Sequence, residues 1–396
     1  MDYQEAQKWL QIFNQAKEDK QEAIKSKNIE QIRPESIYDS TAASNEELNA
    51  HFRRGLEAIS LGGVAALVLA GGQATRLGAD MPKGIYPLGI CPNNPDTDTL
   101  FYILIARLRR LLDLAKAAFP DSKPSIPFVV MTSVYTDADT RQHLAKVIKA
   151  LNFPYSDLIY IQQAQVPVLD ENGAFLQQTA DKIAKSPNGN GGIYEAISPI
   201  MEELQLRYVK YFHIFSVDNV LNRIADPSLI GKMIEFGADC VAKVVEKVDS
   251  FEAVGNLCLQ NGRPHVLEYS EISHDLAECR DKNGRLYLHL GSIANHAFSM
   301  NFMRNMVNEK ASDLRYHLAH KKVRYWDPVE KKIVNPTAPN AYKLELFIFD
   351  AFAYSEKFLA YMVNKTAEFC PLKSPADLPA CRKALAEIDK ATHAYL

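Results

Sequence analysis

The sequence predicts an α/β protein: a mixed, mainly parallel sheet flanked by helices, with a helical N-terminal segment and a small C-terminal lobe. Three observations carry that expectation. Residues 64–70 and 128–132 are short, unbroken apolar runs of the kind that become strands buried on both faces. Between them, residues 100–119 repeat their apolar positions at helical spacing, which makes a β-α-β start with a right-handed crossover. Farther on, the runs 255–259 and 265–269 flank Gln260-Asn261-Gly262-Arg263, a hairpin-type turn, so parallel order gives way to antiparallel pairing in the second half.

In chain order, residues 1–60 read as helices, with an N-cap start at Ser44-Asn45-Glu46-Glu47 ahead of Leu48, Phe52, Leu56 and Ile59. The first 28 residues are rich in Gln, Glu and Lys, with Trp9, Leu10, Ile12 and Phe13 clustered early, which is the pattern of neither a signal peptide nor a transit peptide. Further strands are expected at 159–161, 211–217 and 240–245. Residues 321–334 carry an outlying hairpin, residues 345–363 alternate like an amphipathic helix, and 374–396 form another short helix.

A length of 396 residues, with 47% apolar and 23% charged, allows a large core and is ordinary for a globular enzyme. The net charge of −3 gives no electrostatic footprint for nucleic acid, so a nucleotide ligand must be held by local charge. Cys91, Cys240, Cys258, Cys279, Cys370 and Cys381 form no Cys-x-x-Cys pair, which points to a reducing cytoplasm and no structural zinc. No uncharged apolar stretch reaches the ~18 residues of a membrane span, so no membrane partner is expected.

The chemistry concentrates in residues 67–90. The apolar run ends in Gly71-Gly72, where the missing Cβ atoms let backbone approach a base or phosphate and aim N–H groups at it. Arg76 and Lys83 then supply the charge that balances a triphosphate, one as a planar fork and the other as a mobile point charge. Two rival glycine motifs fail: a kinase-type P-loop needs Gly-Lys-Ser/Thr, whereas Lys83 stands between Pro82 and Gly84, and a dinucleotide fingerprint needs a third glycine and a later acidic residue that are not found. Just past the 211–217 run, Asp218 is a carboxylate at a strand end and the candidate ligand for Mg²⁺, which takes one or two carboxylates plus substrate phosphates.

The string Ala70-Gly71-Gly72-Gln73-Ala74-Thr75-Arg76-Leu77-Gly78, followed by Pro82-Lys83-Gly84, resembles the signature loop of sugar nucleotidyltransferases, in the form found in the UDP-N-acetylglucosamine pyrophosphorylase family. Matching strings run from about residue 64 to 373. The resemblance implies a nucleotide-diphospho-sugar transferase (GT-A-like) fold, divided into a helical segment 1–60, a nucleotidyltransferase domain 61–345 and a helical lobe 346–396. It also implies a uridylyltransferase acting on UTP and N-acetylglucosamine 1-phosphate, releasing pyrophosphate and a UDP-sugar.

Residue by residue, the resemblance implies that Gly71, Gly72 and Gln163 meet the uridine, a side-chain amide being able to donate and accept at an imide base. Ser186-Pro187-Asn188-Gly189-Asn190-Gly191-Gly192 resembles the family's Gly-Asn-Gly-Gly segment and implies uridine and sugar contacts for Gly189, Asn190 and Gly191. Glu268, in Glu268-Tyr269-Ser270-Glu271-Ile272, matches a glutamate that accepts from sugar hydroxyls, and Gly255 and Asn295 join the substrate-binding set. Lys343 and Lys373 match lysines that reach the phosphates.

Two positions depart from the family pattern. Ser292 stands where asparagine is usual, which keeps open a broader UDP-sugar pyrophosphorylase taking glucose or galactose 1-phosphate. Ala74 stands where the family has glycine: a left-handed backbone there would cost about 1–2 kcal/mol and admit a non-catalytic nucleotide-sugar-binding homologue, whereas simple close approach would tolerate the methyl. The oligomeric state is not legible.

Overall fold

The computed structural model describes residues 1–25, 28–91, 93–269 and 271–391. Ser270 of the Glu268–Ile272 string and residues 392–396 of the tail lie outside the described residues. The central sheet runs Ile37–Asp39, Phe358–Met362, Cys240–Glu246, Leu290–Ser299, Tyr211–Ser216, Val64–Leu69, Phe128–Thr132 and Leu158–Gln162. Every neighbouring pair in that order is parallel except those made by Leu290–Ser299, which is antiparallel to both its neighbours. The mixed, mainly parallel sheet is therefore the architecture present.

Alternation along Val64–Leu69 divides the core. Val64, Ala66 and Val68 face a layer containing Leu56, Leu104, Leu108, Leu144 and Met233, while Ala65, Leu67 and Leu69 face Ile193, Phe212, Phe298 and Phe352. The first layer is made by helices Asn45–Ser60, Leu100–Ala118, Asp137–Ala150 and Pro227–Phe236. Ser44 caps the first of these, its hydroxyl accepting from Glu47 N, as the sequence predicts. The expected hairpin forms as Gly255–Gln260 paired with Arg263–Leu267, its second strand starting earlier than expected, and both turn residues, Asn261 and Gly262, have positive φ, 52° and 75°. A type I′ connection requires that conformation. A second small sheet, outside the central one, pairs His317–Lys321 with Ala341–Glu345. The outlying hairpin is Tyr325–Asp327 paired with Lys332–Val334.

The amphipathic helix expected at 345–363 does not form. Ile348–Tyr354 is a short 3₁₀ segment, and Phe358–Met362 is a strand held between Ile37–Asp39 and Cys240–Glu246. An apolar run such as Phe-Leu-Ala-Tyr-Met suits a buried strand and a buried helix equally, and the vacant sheet edge decides between them. The central sheet thus draws on chain from either side of the 60/61 and 345/346 boundaries. The tail helix is Leu378–Ala391. Among the described residues no helix is long and apolar enough to cross a membrane, and all six cysteines are free.

Candidate active site

Ligands in open α/β sheets sit outside the carboxyl ends of the strands, and the predicted residues gather along that edge. Val64–Leu69 opens into a loop that closes on itself: Ala74 N donates to Met81 O at 2.8 Å and Lys83 N to Gly72 O at 3.1 Å. The second bond sets Lys83 beside the glycine pair. A Cβ on Gly71 would lie 2.8 Å from Gln163 Oε1, so the missing side chain is what lets Gln163, from the end of the Leu158–Gln162 strand two places along the sheet, pack over the loop. Gly72 has open space where its Cβ would be, and Arg76 is exposed beyond it on a single 3₁₀ turn. Ala74 has φ −82° and ψ 31°, outside the left-handed region, so the departure at this position carries no backbone strain.

The 186–192 loop is fastened to the segment after Ala341–Glu345. Leu346 N donates to Asn188 O at 2.7 Å, Gly191 N to Leu346 O at 2.8 Å and Ile348 N to Asn190 Oδ1 at 2.9 Å. Gly189 has φ +86°, and a Cβ there would fall 2.4 Å from Leu346 O, so conformation and space both demand glycine. Asn190 spends its carbonyl oxygen on Ile348 and keeps its amide NH₂ to donate.

Asp218 follows Tyr211–Ser216. Its Oδ1 accepts from Ser216 Oγ at 2.7 Å, and its Oδ2 lies 3.4 Å from Lys83 Nζ. The backbone of the C-terminal segment docks on the same turn, with Leu372 N donating to Asp218 O at 2.8 Å and Cys370 N to Asn219 Oδ1 at 2.9 Å. Lys373 is thereby placed next to Asp218, and its ammonium donates to Ala253 O at 3.1 Å.

Behind the turn is a buried polar web. Lys243, fully buried, donates to Asp226 and Glu368, both at 2.5 Å. His213 accepts from Ala225 N at its Nδ1, which leaves the ring proton on Nε2 for Asn295 Oδ1 at 2.7 Å. Asn295 Nδ2 reaches Asn222 Oδ1 at 3.4 Å, and Asn222 in turn donates to Ser216 O at 2.7 Å. Ser292, Ala294 and His296 line the cavity described next, and alternation turns Asn295 to the opposite face, where its bonds to His213 and Asn222 support the Asp218 turn.

A cavity of about 450 Å³ holds four of the predicted sugar residues, Asn190, Gly255, Glu268 and Ser292. Gly255 and Ser292 are register partners, and a Cβ on Gly255 would sit 3.5 Å from Glu268 Oε1. Ala319, Lys321 and Glu345 come from the outlying sheet, and Phe347 and Phe349 add an aromatic wall. Lys343 lies directly opposite Ala319 in that sheet and so shares its cavity-facing side.

The chain matches the UTP–glucose-1-phosphate uridylyltransferase family over residues 6–395. It is 41% identical over 349 residues to a probable UDP-N-acetylglucosamine pyrophosphorylase of Caenorhabditis elegans, covering 87% of this chain and 71% of the relative. It is 38% identical over 346 residues to the UDP-N-acetylglucosamine pyrophosphorylase of Saccharomyces cerevisiae, covering 86% and 71%. This chain belongs to the UDP-N-acetylglucosamine pyrophosphorylase family. A solved structure from this family, that of Trypanosoma brucei in complex with an inhibitor, superposes with TM-score 0.80 at 26% identity, covering 97% of this chain and 78% of that one. The putative family member of Entamoeba histolytica does so with the same TM-score, 0.80, at 27% identity over 92% and 88%.

In this family member the cavity is electrostatically graded. Burial and the neighbouring Glu271 push the Glu268 carboxyl up to about 7, against the opposing charges of His317 and Lys373. Burial lowers the Lys343 ammonium, partly offset by Glu345. Sequence reasoning missed His317, Lys321, Phe347 and Phe349. The aromatic pair falls in the run read as a helix, and the alternation His317, Ala319, Lys321 is the one signal that could have found the others. Among the described residues no cluster of three His, Cys, Asp or Glu side chains could hold a metal. The lone carboxylate of Asp218 beside Lys83 fits a divalent cation that arrives with its nucleotide and takes its other ligands from phosphate and water.

Proposed function

We propose that the chain catalyses uridylyl transfer, converting UTP and N-acetylglucosamine 1-phosphate to UDP-N-acetylglucosamine and pyrophosphate. The observation that carries this reading is the position of Lys373. Its neighbour Leu372 is bonded to the Asp218 turn, while its ammonium acts electrostatically on Glu268 in the cavity. A phosphate held there would join a nucleotide on the Gly71–Lys83 loop to a sugar in the cavity.

The sugar phosphate attacks the α-phosphorus in line, and pyrophosphate departs. A phosphate oxygen is already ionised near neutral pH, so no protein nucleophile is required and catalysis is positioning plus charge stabilisation. Gly71, Gly72 and Gln163 hold the uridine; Arg76 and Lys83 face the departing pyrophosphate. Lys343 and Lys373 take the phosphates of the sugar nucleotide. Glu268 accepts from sugar hydroxyls, Asn190 donates to the sugar and Ser292 reaches it in place of the family's asparagine. Asp218 would hold Mg²⁺, which supplies neutralising charge on the phosphates when bound. The free cysteines support a reducing compartment, the cytoplasm.

The reverse reaction tests this reading. Incubation with UDP-N-acetylglucosamine and pyrophosphate should yield UTP, and failure to form UTP from any UDP-sugar would remove the assignment.

A further inference from the structure

His317 is bonded at both ring nitrogens to carboxylates, Nδ1 at 3.2 Å from Glu271 Oε1 and Nε2 at 2.9 Å from Asp350 Oδ2. A neutral imidazole has one N–H and would turn a lone pair toward one of the two oxygens, so this geometry requires the doubly protonated ring. The ring also packs on Phe347 with centroids 4.4 Å apart. Three elements that do not pair with one another in the sheet are thus joined at one side chain. Glu271 lies in the loop after Arg263–Leu267, His317 in the outlying sheet, and Asp350 in the 3₁₀ segment that follows the aromatic wall. With both its donors engaged, His317 has no N–H left for a ligand.

We propose that His317 is a positioning residue of the sugar-phosphate site: it binds and neutralises Glu271, so that Glu268 is free to face the cavity as an ionised acceptor, and it fixes the Phe347 wall. The inference rests on the uridylyltransferase reading of this cavity. The groups facing Glu268 are Glu271 from its own loop, His317 from the outlying sheet, Asp350 from the 3₁₀ segment and Lys373 from the C-terminal segment. Those facing His317 are Glu271 and Asp350, with His265 beyond and Lys20 acting on Glu271 from the N-terminal helix. Burial opposes the charge on His317, and the two carboxylates outweigh it, raising the ring to about 10. It therefore stays a cation through the range in which Glu268 titrates.

The test compares H317Q, E271Q and the double variant with the parent in the pH profile of kcat/KM for N-acetylglucosamine 1-phosphate. Removing the cation should move the acid limb to higher pH and raise KM for the sugar phosphate about tenfold at pH 7, with KM for UTP little changed. E271Q leaves His317 paired with Asp350 and should move the limb to lower pH, and the double variant should return it toward the parent. A limb that stays in place in E271Q, or in a folded H317Q, overturns the proposal, as does an equal rise in both KM values. If H317Q does not fold, E271Q decides alone. Titration of ¹³C-labelled glutamate carboxyls by NMR reads the Glu268 shift without turnover, so a parent inactive with every sugar 1-phosphate would overturn the uridylyltransferase reading while this electrostatic arrangement is still measured.

Discussion

Lys83 Nζ lies 3.4 Å from Asp218 Oδ2, and the pair ties the glycine loop to the end of the Tyr211–Ser216 strand. Both side chains are mostly buried, at 17% and 21% exposure, so the cation is pre-positioned before any phosphate arrives. The ammonium matters most as negative charge builds on the leaving pyrophosphate. Lys83→Ala is expected to lower kcat by about 10²–10³ with a smaller change in KM for UTP. Steady-state kinetics of the variant check this, and an unchanged kcat would assign Lys83 to a structural ion pair.

Asp218→Asn removes charge with little change in volume. It should abolish metal-dependent turnover while the thermal midpoint stays near the parent's, since Ser216 can still bond the side chain. A Mg²⁺ titration of activity is the measurement. Turnover at the parent's rate across that titration would move the metal role elsewhere.

Glu268 sets a pH dependence. Its carboxyl is raised from 4.5 to about 7 by burial and by Glu271, and the ionised form is the stronger acceptor, offering both oxygens and a charge to sugar hydroxyls. As pH falls through about 7 the group gains a proton, so kcat/KM for the sugar phosphate should drop on the acid side of that value. Glu268→Gln should lose this limb, leaving only the titration of the substrates. A parent profile flat from pH 6 to 8 would contradict the assignment.

Lys243 is a matter of stability. Its replacement by Met leaves Asp226 buried without its paired lysine and Glu368 with Arg223 alone, at 3.5 Å, a loss that typically costs about 3–5 kcal/mol. Glu368 sits beside the Asp218 turn, where its backbone carbonyl accepts from Asn219 Nδ2 at 2.7 Å. Denaturant unfolding should show the loss, and a variant as stable as the parent would mean that these carboxylates find other partners.

Much of the fold was legible because buried parallel strands write themselves as apolar runs. Residues 128–132 and 211–217 became Phe128–Thr132 and Tyr211–Ser216, and the Asn261-Gly262 turn declared its hairpin. The 345–363 stretch was not legible, since its strand exists only by virtue of a sheet edge built by residues far away in sequence. The site divides in the same way. The glycine loop, Gln163, Glu268 and Ser292 carry recognisable strings, whereas the face presented by Asn295 depends on which neighbour its strand pairs with. For His317 the alternation of its own strand was the one local signal, and its role was not legible because its two carboxylate partners lie 46 and 33 residues away.

Pyrophosphate release with UTP and a panel of sugar 1-phosphates, read as the ratio of kcat/KM for N-acetylglucosamine 1-phosphate over glucose 1-phosphate, decides whether this chain is a UDP-N-acetylglucosamine-forming uridylyltransferase. Asn190, Ser292 and the Phe347–Phe349 wall line one cavity of about 450 Å³, and a ratio above one is expected. Ser292 offers a shorter reach than asparagine, and the loss of one hydrogen bond, about 0.5–1.5 kcal/mol, should keep the preference within roughly three- to tenfold of its relatives'. No pyrophosphate with any sugar 1-phosphate, or a clear preference for glucose 1-phosphate, would contradict it.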